Sequence, residues 1–166
     1  TGSTLELETG SSIAGSVIGG GGSLILDGTN SMSNTVSSFN SLTMQGTDWT
    51  LAGHVTASHT NVTSGVLNVT GTLTSSSGVT VDSGAKLAGT GTVAANVTAQ
   101  SGATVQAGTA GTPGTLTIHG NYVQQSGATL EIANTTTSAS LVSILGGSAT
   151  LGGTLLVDSA AGDYSH

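Results

Sequence analysis

The chain contains no cysteine, no arginine, one lysine and one proline, and aromatic residues make up only 2% of its 166 residues. Without cysteine, disulfide bonds cannot stabilise the fold. One lysine against eight acidic residues gives a formal net charge of −7, so binding to nucleic-acid phosphates has almost no electrostatic support. No apolar run is long enough to cross a membrane as a helix. These absences exclude a disulfide scaffold, a nucleic-acid-binding protein and a helical membrane span.

Threonine, serine and glycine together supply 80 of the 166 residues, whereas charged residues make up 5%. Disordered chains are usually rich in charge or proline, so this composition favours an ordered chain. The 36 leucine, isoleucine and valine residues recur at alternate positions, which is the pattern of strands that bury one side. The abundance of threonine, valine, glycine and serine disfavours helix. The sequence therefore predicts an all-β fold.

A short phrase recurs along the chain, with a small polar turn followed by alternating apolar residues. The clearest copies are Ser-Gly-Ala-Lys-Leu at 83–87, Ser-Gly-Ala-Thr-Val at 101–105, Ser-Gly-Ala-Thr-Leu at 126–130 and Gly-Ser-Ala-Thr-Leu at 147–151. Their spacing of 18, 25 and 21 residues is irregular. A stack of β-coils tolerates such variation because each coil absorbs insertions in its turns. The pattern predicts a β-solenoid with short strands and turns rich in glycine, serine and threonine.

With about 20 residues per coil, we expect seven to nine coils in a single domain over residues 1–166. Four successive glycines at 19–22 form either a wide turn or a flexible joint. Short strands are predicted at 4–8, 23–26, 42–44, 49–51, 66–69, 79–81, 92–98, 104–106, 115–118, 122–125, 129–132, 141–144 and 154–157.

The titratable residues are too few for most catalytic mechanisms. A polysaccharide lyase or hydrolase needs clustered carboxylates, and a lyase also needs a basic residue to neutralise the substrate acid. The chain has no arginine, and no Gly-x-Ser-x-Gly motif marks a nucleophile. We therefore predict that the chain is not an enzyme and uses no cofactor.

One polar cluster stands out around the single tryptophan. Asp48 and Trp49 lie close in sequence to His54 and His59, which makes these four residues a candidate binding patch. The histidines are five residues apart across a turn, a spacing that does not favour a metal site. Trp49 either covers an apolar stripe of the core or stacks on a sugar ring at the surface.

Residues 78–164 carry motifs whose order is more specific than any one of them. These are Pro-Gly-Thr-Leu at 113–116, Gly-Asn-Tyr at 120–122 and Leu-Gly-Gly-Thr-Leu at 151–155. This half of the chain resembles the C-terminal passenger region of adhesin-like autotransporters, the type V secretion proteins of Gram-negative bacteria. Residues 107–110 depart from that pattern, since Ala-Gly-Thr-Ala stands where a Pro-Gly-Asn turn is usual.

The resemblance implies a right-handed parallel β-helix that an outer-membrane β-barrel, present in the full-length chain, exports to the cell surface. It also implies that the last coils, residues 111–166, act as an autochaperone that nucleates folding. Residues Tyr122, Leu130, Ile132, Leu151 and Leu155 are the apolar residues expected to stabilise that nucleus. Ordinary core packing is the alternative role for the same residues.

On this basis we expect a surface-exposed or extracellular passenger fragment that acts as a stalk or adhesin. Its partners would be a second copy of the chain or a receptor, either protein or glycan, on another cell. Many weak hydrogen bonds from the outer faces would mediate the contact. The alternatives are a carbohydrate-binding or carbohydrate-active β-helix, and a segment that serves secretion alone.

Overall fold

The computed structural model describes residues 2–159, so residues 160–166 of the predicted C-terminal segment lie outside the described residues. The described part is all β, with short strands and no helix. The strands are β1 (Thr4–Leu7), β2 (Val17–Ile18), β3 (Ser23–Leu26), β4 (Thr29–Met32), β5 (Thr35–Met44), β6 (Asp48–Leu51), β7 (His54–Val62), β8 (Val66–Val69), β9 (Thr72–Ser75), β10 (Val79–Val81), β11 (Lys86–Gly89), β12 (Thr92–Ala94), β13 (Val97–Ala99), β14 (Thr104–Ala107), β15 (Thr115–His119), β16 (Tyr122–Gln124), β17 (Thr129–Asn134), β18 (Leu141–Leu145), β19 (Ala149–Leu151) and β20 (Thr154–Ser159).

Each strand pairs in parallel with the strands of the adjacent coils, on one side only at the first and last described coils, which builds a parallel β-solenoid with three faces. Face 1 stacks β2, the first part of β5 and of β7, β9, β12, β15 and β18. Face 2 stacks β1, β3, the second part of β5 and of β7, β10, β13, β16 and β19. Face 3 stacks β4, β6, β8, β11, β14, β17 and β20. The predicted parallel β-helix fold is therefore confirmed.

Two long strands, β5 and β7, turn the corner between faces 1 and 2 without a break. Within β7, residues 54–57 pair with β9 on face 1, and residues 60–62 pair with β10 on face 2. In β5 the corner includes Ser38, whose φ of 60° is positive, and the register with β7 shifts between Val36 and Phe39. A local bulge at this corner therefore lets one strand serve two faces.

The core consists of ladders of inward-facing side chains that stack from coil to coil. The inner ladder of face 3 contains Trp49, Leu67, Leu87, Val105, Leu130 and Leu155. All of these except Leu155 are buried. Because alternate residues of a strand point to opposite sides, each coil directs mostly apolar side chains inward and most polar ones outward.

Glycine is required at corners where successive coils touch through their backbones. At the corner between faces 3 and 1, a Cβ at Gly71 would overlap the carbonyl oxygen of Gly53 in the coil before it. A Cβ at Gly91 would in turn overlap the carbonyl oxygen of Gly71. This column of glycines allows the short turns to stack at the spacing set by the strands.

The four glycines at 19–22 form a hydrogen-bonded corner between β2 and β3. The backbone N–H of Gly19 donates to Ser37 O at 2.8 Å, and that of Gly21 donates to Ser38 O at 2.7 Å. A Cβ at Gly19 would clash with the ring of Phe39. The glycines therefore form a hydrogen-bonded turn at the corner between faces 1 and 2, with Gly19 packed against Phe39.

Coil length increases toward the C-terminal end. Partners on face 2 are 18 residues apart at Val79 and Val97, but 25 apart at Val97 and Tyr122. The extra residues lie at one corner, between faces 3 and 1, at 108–114 in one coil and 134–140 in the next. Coils of unequal length therefore keep their ladders in register.

The fourth copy of the repeated phrase is out of phase with the first three. Thr104 pairs with Thr129, and Thr129 pairs with Thr154, so the turn equivalent to 126–128 is 151–153. The phrase at 147–151 instead leads into β19 on face 2. The four phrases therefore do not all mark equivalent positions, because Gly-Ser-Ala-Thr-Leu suits any corner followed by an inward apolar residue.

Candidate functional site

Faces 1 and 2 present outer columns in which most side chains are polar and uncharged. Successive residues of one column lie about 4.8 Å apart, the spacing of paired strands. The outer column of face 2 contains Glu6, Ile25, Thr43, Asn61, Thr80, Thr98, Val123 and Thr150. The outer column of face 1 contains Thr35, His54, Thr72, Thr92, Thr117 and Ser143. Glu6, in the first coil, is the one carboxylate in these two columns, so from Ile25 onward the faces are rich in hydrogen-bonding groups and poor in charge.

Face 3 differs because it carries the single lysine of the chain in a closed polar network. Lys86 Nζ lies 2.8 Å from Glu131 Oε2 in an ion pair that spans three coils, and the two side chains are 28% and 13% exposed. The same ammonium donates to Gln106 Oε1 at 3.2 Å. Gln106 Nε2 donates to Glu131 Oε1 at 3.1 Å. The amide between the two charged groups thus fixes the geometry of the ion pair.

Residues 108–114, called here the corner hairpin, cover part of face 3. Thr109 and Thr112 exchange backbone hydrogen bonds of 3.1 and 2.9 Å across the hairpin. Gly108 N–H donates to Gly89 O at 2.8 Å, which attaches the hairpin to β11. Ala88 and Gln106 point outward from their strands, yet both are buried because the hairpin lies over them.

A groove of about 230 Å³ runs between the corner hairpin and the strands of face 3. Its floor is apolar at Val66 and Ala88, and its rim is polar at Asp48, Asn68 and Lys86. The remaining lining residues are Gln106, Thr109 and Ala110. We call this cavity the face-3 groove. It is the place where the described residues bring an acid, an amide and the ammonium group around one apolar floor.

The structure does not bring the four residues of the candidate patch together. Trp49 points into the core, where it is 1% exposed and donates from Nε1 to Asp27 O at 2.8 Å. Asp48 lies on the outer side of face 3, at the rim of the face-3 groove. His54 and His59 are exposed on faces 1 and 2, respectively. Of the two roles considered for Trp49, packing in the apolar core is confirmed.

The five folding-nucleus candidates occupy two successive coils. Tyr122 and Leu130 are buried, and Ile132 packs against the core in the same coil. Leu151 and Leu155 pair with Gln124 and Leu130 but are 63% and 62% exposed, because no further coil among the described residues covers them. Their role in folding stays a prediction.

Two inward-facing hydroxyl groups are buried without a hydrogen-bond partner among the described residues. Thr60 Oγ1 lies in the face 2 ladder between Leu42 and Val79. Tyr122 OH lies further along the same ladder, and burial raises the pKa of this phenol to about 12. Such groups lower stability because they lose their hydration without compensation.

No group of three or more histidine, aspartate or glutamate residues that could hold a metal ion occurs within residues 2–159. In the same range, no helix is long and apolar enough to span a membrane.

Sequence reasoning missed the face-3 groove and its ion pair. A signal was available, because aligning the three Ser-Gly-Ala turns places Lys86 in one outer column and Gln106 and Glu131 in the adjacent one. The covering of the groove by the corner hairpin had no comparable signal. The hairpin is an insertion in a single coil, and its path depends on packing.

No protein-family model matches the chain, and no curated protein is significantly similar to it. The resemblance to autotransporter passengers therefore stays a prediction.

Proposed function

We propose that this chain is part of the surface passenger of a Gram-negative autotransporter, where it acts as a stalk and as an adhesin. In this role it associates with a second copy on a neighbouring cell or with a surface receptor. Its C-terminal coils nucleate folding as the chain is exported. The observation that carries the proposal is a continuous parallel solenoid whose faces 1 and 2 are rich in hydroxyl groups and poor in charge.

Face 2 is the best candidate for the contact between copies. After Glu6 in the first coil, its outer column runs from Ile25 to Thr150 without a charged residue. Both insertions lie at the opposite corner, between faces 3 and 1, and leave face 2 unobstructed. Because the chain carries a net charge of −7, a column whose one carboxylate, Glu6, lies in the first coil reduces repulsion along the rest of the contact. Many weak hydrogen bonds along such a column add up when two solenoids align.

Sedimentation velocity of the purified chain at high concentration and low salt tests this proposal. We expect concentration-dependent dimers or larger species. The double substitution Thr43→Glu and Thr98→Glu places two carboxylates on face 2, three coils apart, and is expected to abolish association through like-charge repulsion.

A matched control places two carboxylates on face 1 with Thr72→Glu and Thr117→Glu. This variant adds the same charge, and all four threonines are half-buried on outer faces. It should associate like the unmodified chain. A chain that stays monomeric under all conditions would contradict self-association, and equal effects of the two double variants would contradict the assignment to face 2.

A further inference from the structure

We propose that the face-3 groove binds a neutral sugar ring, such as the terminal residue of a surface glycan. This inference rests on the proposed adhesin function and assigns one class of partner to one place on the solenoid. The groove is separate from face 2, so a single copy could hold a glycan and a second copy at the same time.

The groove offers hydrogen-bonding groups that remain unused within the described residues. The carboxylate of Asp48 is exposed and accepts no hydrogen bond from residues 2–159. Asn68 Oδ1 also accepts none, while its Nδ2 makes one long contact of 3.4 Å with Thr50 Oγ1. The Lys86 ammonium has three N–H groups and uses two, for Gln106 and Glu131. Asp48 therefore offers an exposed acceptor and Lys86 one donor beside the same space, whereas the unpaired Asn68 oxygen is shielded from solvent.

The apolar floor of the face-3 groove and its polar rim together match the two kinds of surface on a sugar ring. Val66 and Ala88 form an apolar surface between the polar groups. A pyranose ring presents C–H groups on one side and hydroxyl groups around its edge, and each hydroxyl both donates and accepts. Such a ring can place its C–H side on Val66 and Ala88, and its hydroxyls can reach Asp48 and Lys86 at the rim.

The charge and the volume of the groove further restrict the class of ligand that it can bind. Asp48 and Glu131 outweigh Lys86, and the chain as a whole carries a net charge of −7, so an anionic sugar is repelled. The volume of about 230 Å³ is smaller than that of sites for drug-sized molecules. The groove therefore suits one neutral ring, with further sugar residues extending into solvent.

Hydrogen bonds from the next coil hold the corner hairpin in place, so the groove is already formed before a ligand binds. Ser140 Oγ donates to Ala107 O at 2.7 Å and accepts from Gly114 N–H at 3.3 Å, so the next coil supports both ends of the corner hairpin. The buried amide of Gln106 is satisfied on both sides by Lys86 and Glu131. Because these groups are already held in place, little ordering is needed when a ligand enters.

The test is a titration of the chain with the methyl glycosides of glucose, galactose, mannose, N-acetylglucosamine and N-acetylgalactosamine, followed by amide chemical shifts in NMR. We expect at least one glycoside to shift the amides of Asp48, Val66, Asn68, Lys86 and Ala110. A single small ring is expected to bind with a dissociation constant on the order of 1 mM.

Asp48→Asn removes the exposed carboxylate without changing the shape of the side chain, and we expect at least tenfold weaker binding. Asp82→Asn is the matched control, because it removes the same charge from a residue outside the groove. Ala110→Phe provides a second variant, since this exposed residue lies on the hairpin wall and a phenyl group there would fill the groove.

Loss of binding in Asp48→Asn and Ala110→Phe, with binding kept in Asp82→Asn, would support the proposal. The absence of shifts with all five glycosides would overturn it, as would shifts that are unchanged in Asp48→Asn. Shifts produced by methylammonium or calcium chloride instead would reassign the groove to a cation. Sedimentation of Asp48→Asn separates this question from the proposed function, because self-association through face 2 does not need Asp48.

Discussion

A series of Leu→Ala substitutions in the inner ladder of face 3 tests whether the C-terminal coils nucleate folding. Leu67, Leu87, Leu130 and Leu155 occupy equivalent positions in four coils, so the chemical change is the same at each. Leu67 and Leu87 are fully buried, Leu130 is 8% exposed and Leu155 is 62% exposed. The ladder therefore compares coils while holding residue type and orientation constant.

The loss of equilibrium stability in each variant is expected to depend on how deeply the leucine is buried. Replacing the buried leucines is expected to lower the free energy of unfolding by about 3 kcal/mol, through lost transfer energy and the cavity left behind. Leu155 buries little more than a third of its surface, so its replacement should lower stability by about 1 kcal/mol. Urea unfolding followed by circular dichroism measures both values.

The kinetic effect separates a nucleus from ordinary packing. If the coil of Leu130 is formed in the transition state, a φ-value of about 0.8 makes Leu130→Ala refold roughly 60-fold more slowly. For Leu87→Ala, a φ-value of about 0.2 predicts refolding only about threefold slower and unfolding roughly 60-fold faster. Stopped-flow refolding and unfolding over a range of urea concentrations gives these rates. Equal φ-values at Leu87 and Leu130, or a higher one at Leu87, would refute a C-terminal nucleus.

Three further predictions concern stability. Tyr122→Phe removes a buried hydroxyl without a partner and should raise the free energy of unfolding by about 1 kcal/mol. Burial raises the Tyr122 pKa from 10.0 to about 12, so the phenol loses its proton at lower pH in the unfolded state than in the folded state. Between these two pH values, Tyr122 therefore makes the free energy of unfolding fall by about 1.4 kcal/mol per pH unit. Urea unfolding measured over this pH range should show no such fall from this residue in Tyr122→Phe. Thr60→Val fills the same space without the buried hydroxyl that has no partner among the described residues, so thermal unfolding should show a stabilisation of about 1 kcal/mol. A loss of stability would instead indicate that the Thr60 hydroxyl has a hydrogen-bond partner. Gly71→Ala forces a Cβ against a backbone oxygen and should lower the free energy of unfolding by about 3 kcal/mol. The control Gly84→Ala should lower it by about 1 kcal/mol, because only the positive φ is unfavourable there. Comparable losses for the two variants in urea unfolding would argue against close stacking of coils at the Gly71 corner.

Strands with regular aliphatic alternation could be predicted from the sequence, and strands dominated by polar residues could not. The predicted strands at 23–26, 66–69 and 79–81 match β3, β8 and β10 residue for residue. In contrast, β4 (Thr29–Met32) and β7 (His54–Val62) were missed, although each buries residues on alternate positions. Their few apolar residues leave the pattern weak, and pairing with the neighbouring coils determines the strand instead.

The candidate site was less accessible to sequence reasoning than the fold. Trp49 and Asp48 are adjacent in sequence, but in a strand adjacent side chains point to opposite sides, so one is in the core and the other on the surface. Lys86 and Glu131 are 45 residues apart and meet only because three coils stack in register. In a solenoid, surface sites combine residues one or more coils apart, so proximity in sequence is a poor guide to them.

The two insertions at the corner between faces 3 and 1 have a consequence for how this architecture can diversify. The corner accepts an additional seven residues at 108–114 without loss of strand pairing on any face. Evolution can therefore change surface chemistry at this corner by indels, independently of the sequence constraints that the core imposes. The same property makes the corner a suitable graft point for displaying foreign peptides on a rigid rod.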